Sequence, residues 1–184
     1  MRGCGPSAWA DEGRNCAQAR KRPRWLCLWA GGATATLLAA TLAGCGSGAL
    51  SVTAPSVAGP AARHCARLLQ ALPRTIDDQK QRTVTTGAHE YAAAWGNPPI
   101  VLRCGVPKPE GLTRFASCQQ VNGVGWFVPP RQINRGPGPI VMTTIGLQPR
   151  VQVQLPGDDW PPAAAMADLA SAVKASLRHL HSCV

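Results

Sequence analysis

Apolar residues recur at helical spacing in two stretches, one near each end of the folded part. Ala61, Cys65, Leu68 and Leu72 share a stripe, while Arg63, Arg67 and Gln70 fall outside it, which predicts a helix over residues 60–72. Pro60 suits the first helical turn, where its missing amide hydrogen is not needed, and Pro73 ends the run. Met166, Leu169, Val173, Leu177 and Leu180 form the second stripe, predicting a helix over about 162–181. Lys174 and Arg178 near its carboxyl end suit the helix dipole. Between these helices the period shortens to two. Val151, Val153 and Leu155 alternate with Gln152 and Gln154, the pattern of a strand with one buried and one wetted face. With residues 140–145 it makes a hairpin across 146–150. Residues 100–104 and 124–128 are further strands by their β-branched and aromatic content, and 82–86 is a short one. Residues 74–81 read as a polar turn, 90–95 as one or two helical turns stopped by Gly96, and 105–116 and 129–139 as loops. The expectation is an α+β fold: a small, mostly antiparallel sheet of three to five strands with an N-terminal and a C-terminal helix, in one globular domain over 61–184.

The first 44 residues have a different pattern. Residues 20–24 are basic (Arg20, Lys21, Arg22, Arg24), and residues 25–42 are 18 positions without a charge. Leu42-Ala43-Gly44-Cys45 follows. A basic n-region, an apolar h-region and small residues before a cut make an export leader over 1–44. A cysteine after Leu-Ala-Gly adds a chemical role, since its thiol accepts diacylglycerol before the leader is removed. The four residues resemble the lipobox of bacterial lipoproteins at every position. The implied product is lipidated at Cys45 and sits on the outer face of the cell membrane. The competing reading is an uncleaved anchor, because about 18 uncharged residues just span a bilayer core; Gly31, Gly32 and three threonines dilute it. Residues 1–19 are a cytoplasmic stub or an overextended start, two possibilities the pattern leaves open. Residues 45–60 are small, uncharged and proline-containing, and read as a flexible lipid-attached tether of roughly 20–40 Å.

Composition sharpens this picture in two ways. Of 184 residues only 15% are charged, and six of the 19 cations precede position 25. The 140 residues from Cys45 onward carry 13 cations against 7 acids, scattered singly. Such a surface is solvated, and it favours an anionic lipid headgroup or cell-wall polymer as partner. Without a basic run or binding motif, nucleic acid is not an expected partner. Four cysteines follow Cys45, namely Cys65, Cys104, Cys118 and Cys183. An even set in an exported chain implies two disulfides with three possible pairings. The expected pairs are Cys104–Cys118, closing a local loop, and Cys65–Cys183, stapling the first helix to the last. By loop closure these would contribute about 3 and nearly 5 kcal/mol. Their spacings fit no compact ligand pair, so neither a metal nor another cofactor is expected.

One block of sequence is more specific than any pattern. It runs Ala92-Ala93-Ala94-Trp95-Gly96-Asn97-Pro98-Pro99-Ile100-Val101-Leu102-Arg103-Cys104-Gly105-Val106-Pro107. Val121-Asn122-Gly123-Val124, Trp126, Thr143-Thr144-Ile145-Gly146 and Val151-Gln152-Val153 continue it, and Cys65 with Leu72-Pro73 precedes it. Over about 65–183 the chain resembles the domain of unknown function 3515, a family of actinobacterial lipoprotein-like and membrane proteins. The resemblance implies an actinobacterial host, an envelope location and one folded module. It brings no activity and no catalytic residues.

Candidate chemistry is sparse. His89-Glu90 is the only acid/base pair beside that block, and general catalysis would need both within reach of one substrate. His64 reads as a surface group, and His179 and His181 are two apart and do not share a helix face. Ser117 lacks a Gly-x-Ser-x-Gly elbow. Asp77-Asp78 and Asp158-Asp159 sit in turn signals, and residues 135–139 alternate in prolines that remove the amides an anion would need. Trp95, Asn97, Arg103 and Trp126 form the candidate binding surface, with indoles for stacking and a guanidinium for hydrogen bonds. The competing reading buries both tryptophans in the core. The functional expectation is a non-catalytic binding or accessory lipoprotein of the envelope, whose partner is a protein, a glycan or an anionic lipid. An envelope hydrolase on a cell-wall or lipid substrate and a structural part of a membrane assembly are the alternatives.

Overall fold

A computed structural model describes residues 48–159 and 161–183. The leader over 1–44 and Cys45 lie outside the described residues. The chain opens with β1 (Leu50–Ser51), α1 (Gly59–Ala71), β2 (Thr75–Ile76), β3 (Gln79–Arg82) and β4 (Val84–Thr85). It continues through β5 (Tyr91–Trp95), β6 (Ile100–Cys104), β7 (Gln119–Val121), β8 (Val124–Phe127) and the short α2 (Pro130–Asn134). β9 (Ile140–Ile145), β10 (Leu147–Gln148), β11 (Val151–Leu155), α3 (Ala163–Ser176) and β12 (Arg178–His179) complete it. Eight strands form one sheet in the order β2-β3-β5-β6-β11-β9-β8-β7, every neighbour antiparallel. The fold is α+β, mostly antiparallel and braced by two disulfides, with a wider sheet than the three to five strands expected.

One face of this sheet is packed by α1 and α3, which also touch each other. The alternation of strand side chains sends Trp95, Ile100, Leu102, Trp126, Met142, Val151, Val153 and Leu155 to that face, where they meet Cys65, Leu68, Met166, Leu169 and Val173 of the helices. The other face carries smaller groups: Ala92, Ala94 and Val101 are covered by Val52 and Ala54, with Leu50 and Val84 alongside. β1 pairs in parallel with β4, and Leu50 N–H donates to Thr83 O at 2.9 Å. The tether expected to run free to residue 60 is therefore part of the fold from Leu50. Its alternation of Leu50, Val52 and Ala54 with Ser51 and Thr53 is a strand pattern hidden by its small-residue composition.

Residues 90–95, expected as helical turns, are instead the central strand β5. Three consecutive alanines favour a helix locally. Here the register with β3 and β6 decides, and Ala92 and Ala94 fit because the N-terminal segment lies close over their face. The polar turn expected at 74–81 contains the β2–β3 hairpin, whose tip is Asp77-Asp78 with φ of 47° and 60°. The C-terminal helix stops at Ser176, since the next residues pair with β10 as β12.

Both disulfide pairings differ from the expectation. Cys65 joins Cys104, with Cα atoms 5.7 Å apart, and Cys118 joins Cys183 at 5.9 Å. The reason is topological. Four strand spacings separate β6, which ends at Cys104, from β7, which follows Cys118, so these two ends are about 19 Å apart. A bridge needs Cα atoms within about 7 Å. Cys65 faces the sheet from α1 and meets Cys104 on the same buried face, whereas the chain beyond β12 returns Cys183 to the β7–β8 edge. There the bridge lies over Gly125, at which a Cβ would come within 2.6 Å of Cys183 Sγ and 3.0 Å of Cys118 Sγ.

Candidate functional site

The residues expected to form one binding surface are not brought together. Trp95 and Trp126 are fully buried on the helix-packed face, and Trp95 Nε1 donates to Pro73 O at 3.0 Å. Arg103 lies on the opposite face, where Nε donates to Thr53 O at 3.0 Å and a second nitrogen reaches Gln154 Oε1 at 3.4 Å. It holds the N-terminal segment in place. Asn97 is exposed in the β5–β6 turn. The core reading of the tryptophans is the one the structure bears out.

The His89-Glu90 pair does not converge on a cleft either. Glu90 Oε2 accepts the amide of Ala54 at 3.0 Å and that of Gly87 at 3.3 Å, which fixes the N-terminal segment to the β4–β5 turn. His89, with φ of 58°, gives its carbonyl to Val57 N–H at 3.0 Å and leaves its ring in solvent. Ser117, His179 and His181 are exposed, and Asp168 accepts the amide of Asp77 at 2.9 Å. No group of three metal-ligating side chains occurs among the described residues. No helix there is long and apolar enough to cross a membrane.

A well-formed concavity lies where no sequence motif pointed. A cleft of about 690 Å³ opens between the start of α1, the residues after β6, the β10–β11 turn and β12. Val57, Ala58, Pro60, Ala61 and Val106 give it apolar walls, and His64, Arg150 and Arg178 line it with nitrogen donors. No acid lines it. Arg150 is half-buried, placed by a backbone carbonyl that accepts Gly105 N–H at 2.8 Å and Val106 N–H at 3.3 Å. Its guanidinium and that of Arg178 pair with no acid among the described residues. His64 Nδ1 donates to Ser176 O at 2.7 Å, because a carbonyl can only accept, which leaves Nε2 as the free ring nitrogen. Arg67 approaches Nδ1 at 2.9 Å; a protonated nitrogen cannot accept from it, so this contact adds positive charge without a bond. The amino end of α1 has Ala58 as its cap residue, without a side-chain oxygen, and no acid in its first turn.

The Cys65–Cys104 bridge clamps the cleft, since Cys65 follows His64 on one wall and Cys104 precedes Gly105 on another. Gly105 is required for the closeness of these walls: its φ is 88°, and a Cβ there would run into Val57 Cγ1. A second cleft of about 270 Å³ adjoins through Arg150 and is lined by Lys108, Arg114, His181 and the Cys118–Cys183 bridge. Nothing in the spacing of positions 64, 150 and 178 announces this site. Only the strand order joins them.

Taken together, these features define a disulfide-braced α+β module with a cationic cleft suited to holding an anion, and no converged acid/base pair in it. The chain belongs to the family described as Protein of unknown function (DUF3515), whose model matches residues 32–181. Comparison with curated proteins gave no match, nor did comparison with solved structures.

Proposed function

We propose that this protein is an extracytoplasmic lipoprotein, attached through Cys45 to the outer face of the cell membrane, that serves as a non-catalytic binding or accessory module of the envelope. The observation that carries the reading is the pair of disulfides, which persist in oxidising compartments and suit a chain exported by the leader over 1–44. The lipobox residues Leu42-Ala43-Gly44-Cys45 supply the attachment. Only four residues separate Cys45 from Leu50, so the first strand lies within about 17 Å of the acylated sulfur. The module is held against the bilayer and not on a long leash. Its partners are the membrane itself and an envelope protein, glycan or anionic lipid. The hydrolase alternative loses its residues, because Glu90 is committed to backbone amides and His89 faces solvent. Metabolic labelling with an alkyne fatty acid tests the reading: the native protein takes the label, and Cys45→Ala abolishes it and leaves precursor or released protein. Equal labelling of the variant, or free thiols at Cys65 and Cys104 in the native protein, overturns it.

A further inference from the structure

We infer that the cleft bounded by α1, the β10–β11 turn and β12 is a binding site for a phosphoester. The inference rests on the reading of the chain as a binding module and is independent of acylation. Three observations converge on one cavity. First, Arg150 is half-buried and Arg178 lines the same cavity from its exposed rim, and neither guanidinium is paired by an acid among the described residues. An unpaired, partly desolvated guanidinium presents a fork of N–H donors that matches phosphate or carboxylate oxygens. Second, His64 is oriented by its bond to Ser176 O, leaving Nε2 for a ligand. Third, the amino end of the 13-residue α1 borders the cavity through Ala58, Pro60 and Ala61, with no cap oxygen and no acid competing for its amides. Two forks and an imidazole around one cavity suit the tetrahedral oxygens of a phosphate group better than a single planar carboxylate.

The remaining volume identifies the rest of the ligand. About 690 Å³ is in the range of sites that hold organic molecules of drug size, far more than an inorganic anion fills. Val57, Pro60, Val106 and Pro149 offer apolar walls to a carbon skeleton attached to the phosphate. The same chemistry occurs in a soluble phosphoester and in a phospholipid headgroup, and the test separates these sources.

The full chain in nonionic detergent is titrated with sn-glycerol 3-phosphate, following phosphorus line broadening and the thermal midpoint. Saturable binding is expected, weakened about tenfold or more by Arg150→Gln and by Arg178→Gln, and unchanged by Arg131→Gln on the exposed side of α2. Arg178 is exposed, so Arg178→Gln keeps the test decisive if Arg150→Gln fails to fold. The chain is then placed in phosphatidylcholine vesicles with or without phosphatidylglycerol. An Arg178-dependent loss of glycerol 3-phosphate affinity with phosphatidylglycerol assigns the headgroup as the natural source; unchanged affinity assigns a soluble phosphoester. No saturable binding, preference for succinate, or binding indifferent to both cleft variants overturns the inference. An empty cleft on a chain that still acylates at Cys45 would remove this inference and leave the lipoprotein reading intact.

Discussion

The two faces of the sheet are built by opposite means. One is covered by two helices whose apolar stripes interlock with Trp95, Trp126, Met142 and Leu155. The other is covered over β5 and β6 by an extended segment, and its groups shrink to Ala92, Ala94 and Val101. The helix face is stabilised by area removed from water, since a large buried side chain is worth about 1.5–3 kcal/mol. The opposite face gains little area per residue. There, specific hydrogen bonds from Glu90, Arg103 and β4 hold the cover in register. Side-chain size is thus a record of what lies above each face.

Substitutions separate the two modes. Trp95→Ala should be the most damaging, costing about 3–5 kcal/mol by cavity formation and by leaving Pro73 O without its donor, as measured by denaturant unfolding. Breaking the Cys65–Cys104 bridge with Cys65→Ala should cost about 2–5 kcal/mol and widen the cleft as well. Non-reducing peptide mapping should recover Cys65 linked to Cys104 and Cys118 linked to Cys183, whereas a Cys104–Cys118 peptide would contradict the strand order. On the alanine face, Ala94→Leu should cost about 1–3 kcal/mol, because the added volume has no room beneath Val52 and Ala54. Its distinguishing mark is early proteolysis between residues 48 and 57, which Trp95→Ala does not produce below its unfolding transition. Glu90→Ala should cost about 1–2 kcal/mol and speed exchange of the Ala54 amide. Arg103→Ala is the mildest, about 0.5–1 kcal/mol, since its bond to Thr53 O is solvent-exposed.

The same contrast governs what could be read from the chain. The helix over Gly59–Ala71 and the strand Val151–Leu155 follow from periodicity, because their burial is one-sided. Ile100–Cys104, buried on both faces, follows instead from its β-branched content, and Ile140–Ile145 from the hairpin it makes with Val151–Leu155. β5 escaped because Ala92-Ala93-Ala94 carries helix propensity, and the reason for small residues at Ala92 and Ala94 is a partner some 40 positions upstream. Pairing of the cysteines escaped for a related reason. Separation along the chain favoured Cys104 with Cys118, but the sheet order interposes β11, β9 and β8 between β6 and β7. Of the candidate site almost nothing was legible. His64 read as a surface group, Arg178 as a cation suited to a helix dipole and Arg150 as one of the scattered surface cations, because their convergence depends on β12 returning beside β10. Arg103 and Glu90 were noticed, but as binding or catalytic groups. They prove to be fasteners for the N-terminal segment.

That fastened segment has a practical consequence. A shortened version beginning at residue 61, where the helical repeat starts, would strip Val52 and Ala54 from the sheet and lay Ala92, Ala94 and Val101 bare to water. Uncovered apolar strips on sheets are where separate molecules adhere to one another. The stretch that looks like slack rope is a cover, and removing it would leave the sheet prone to self-association.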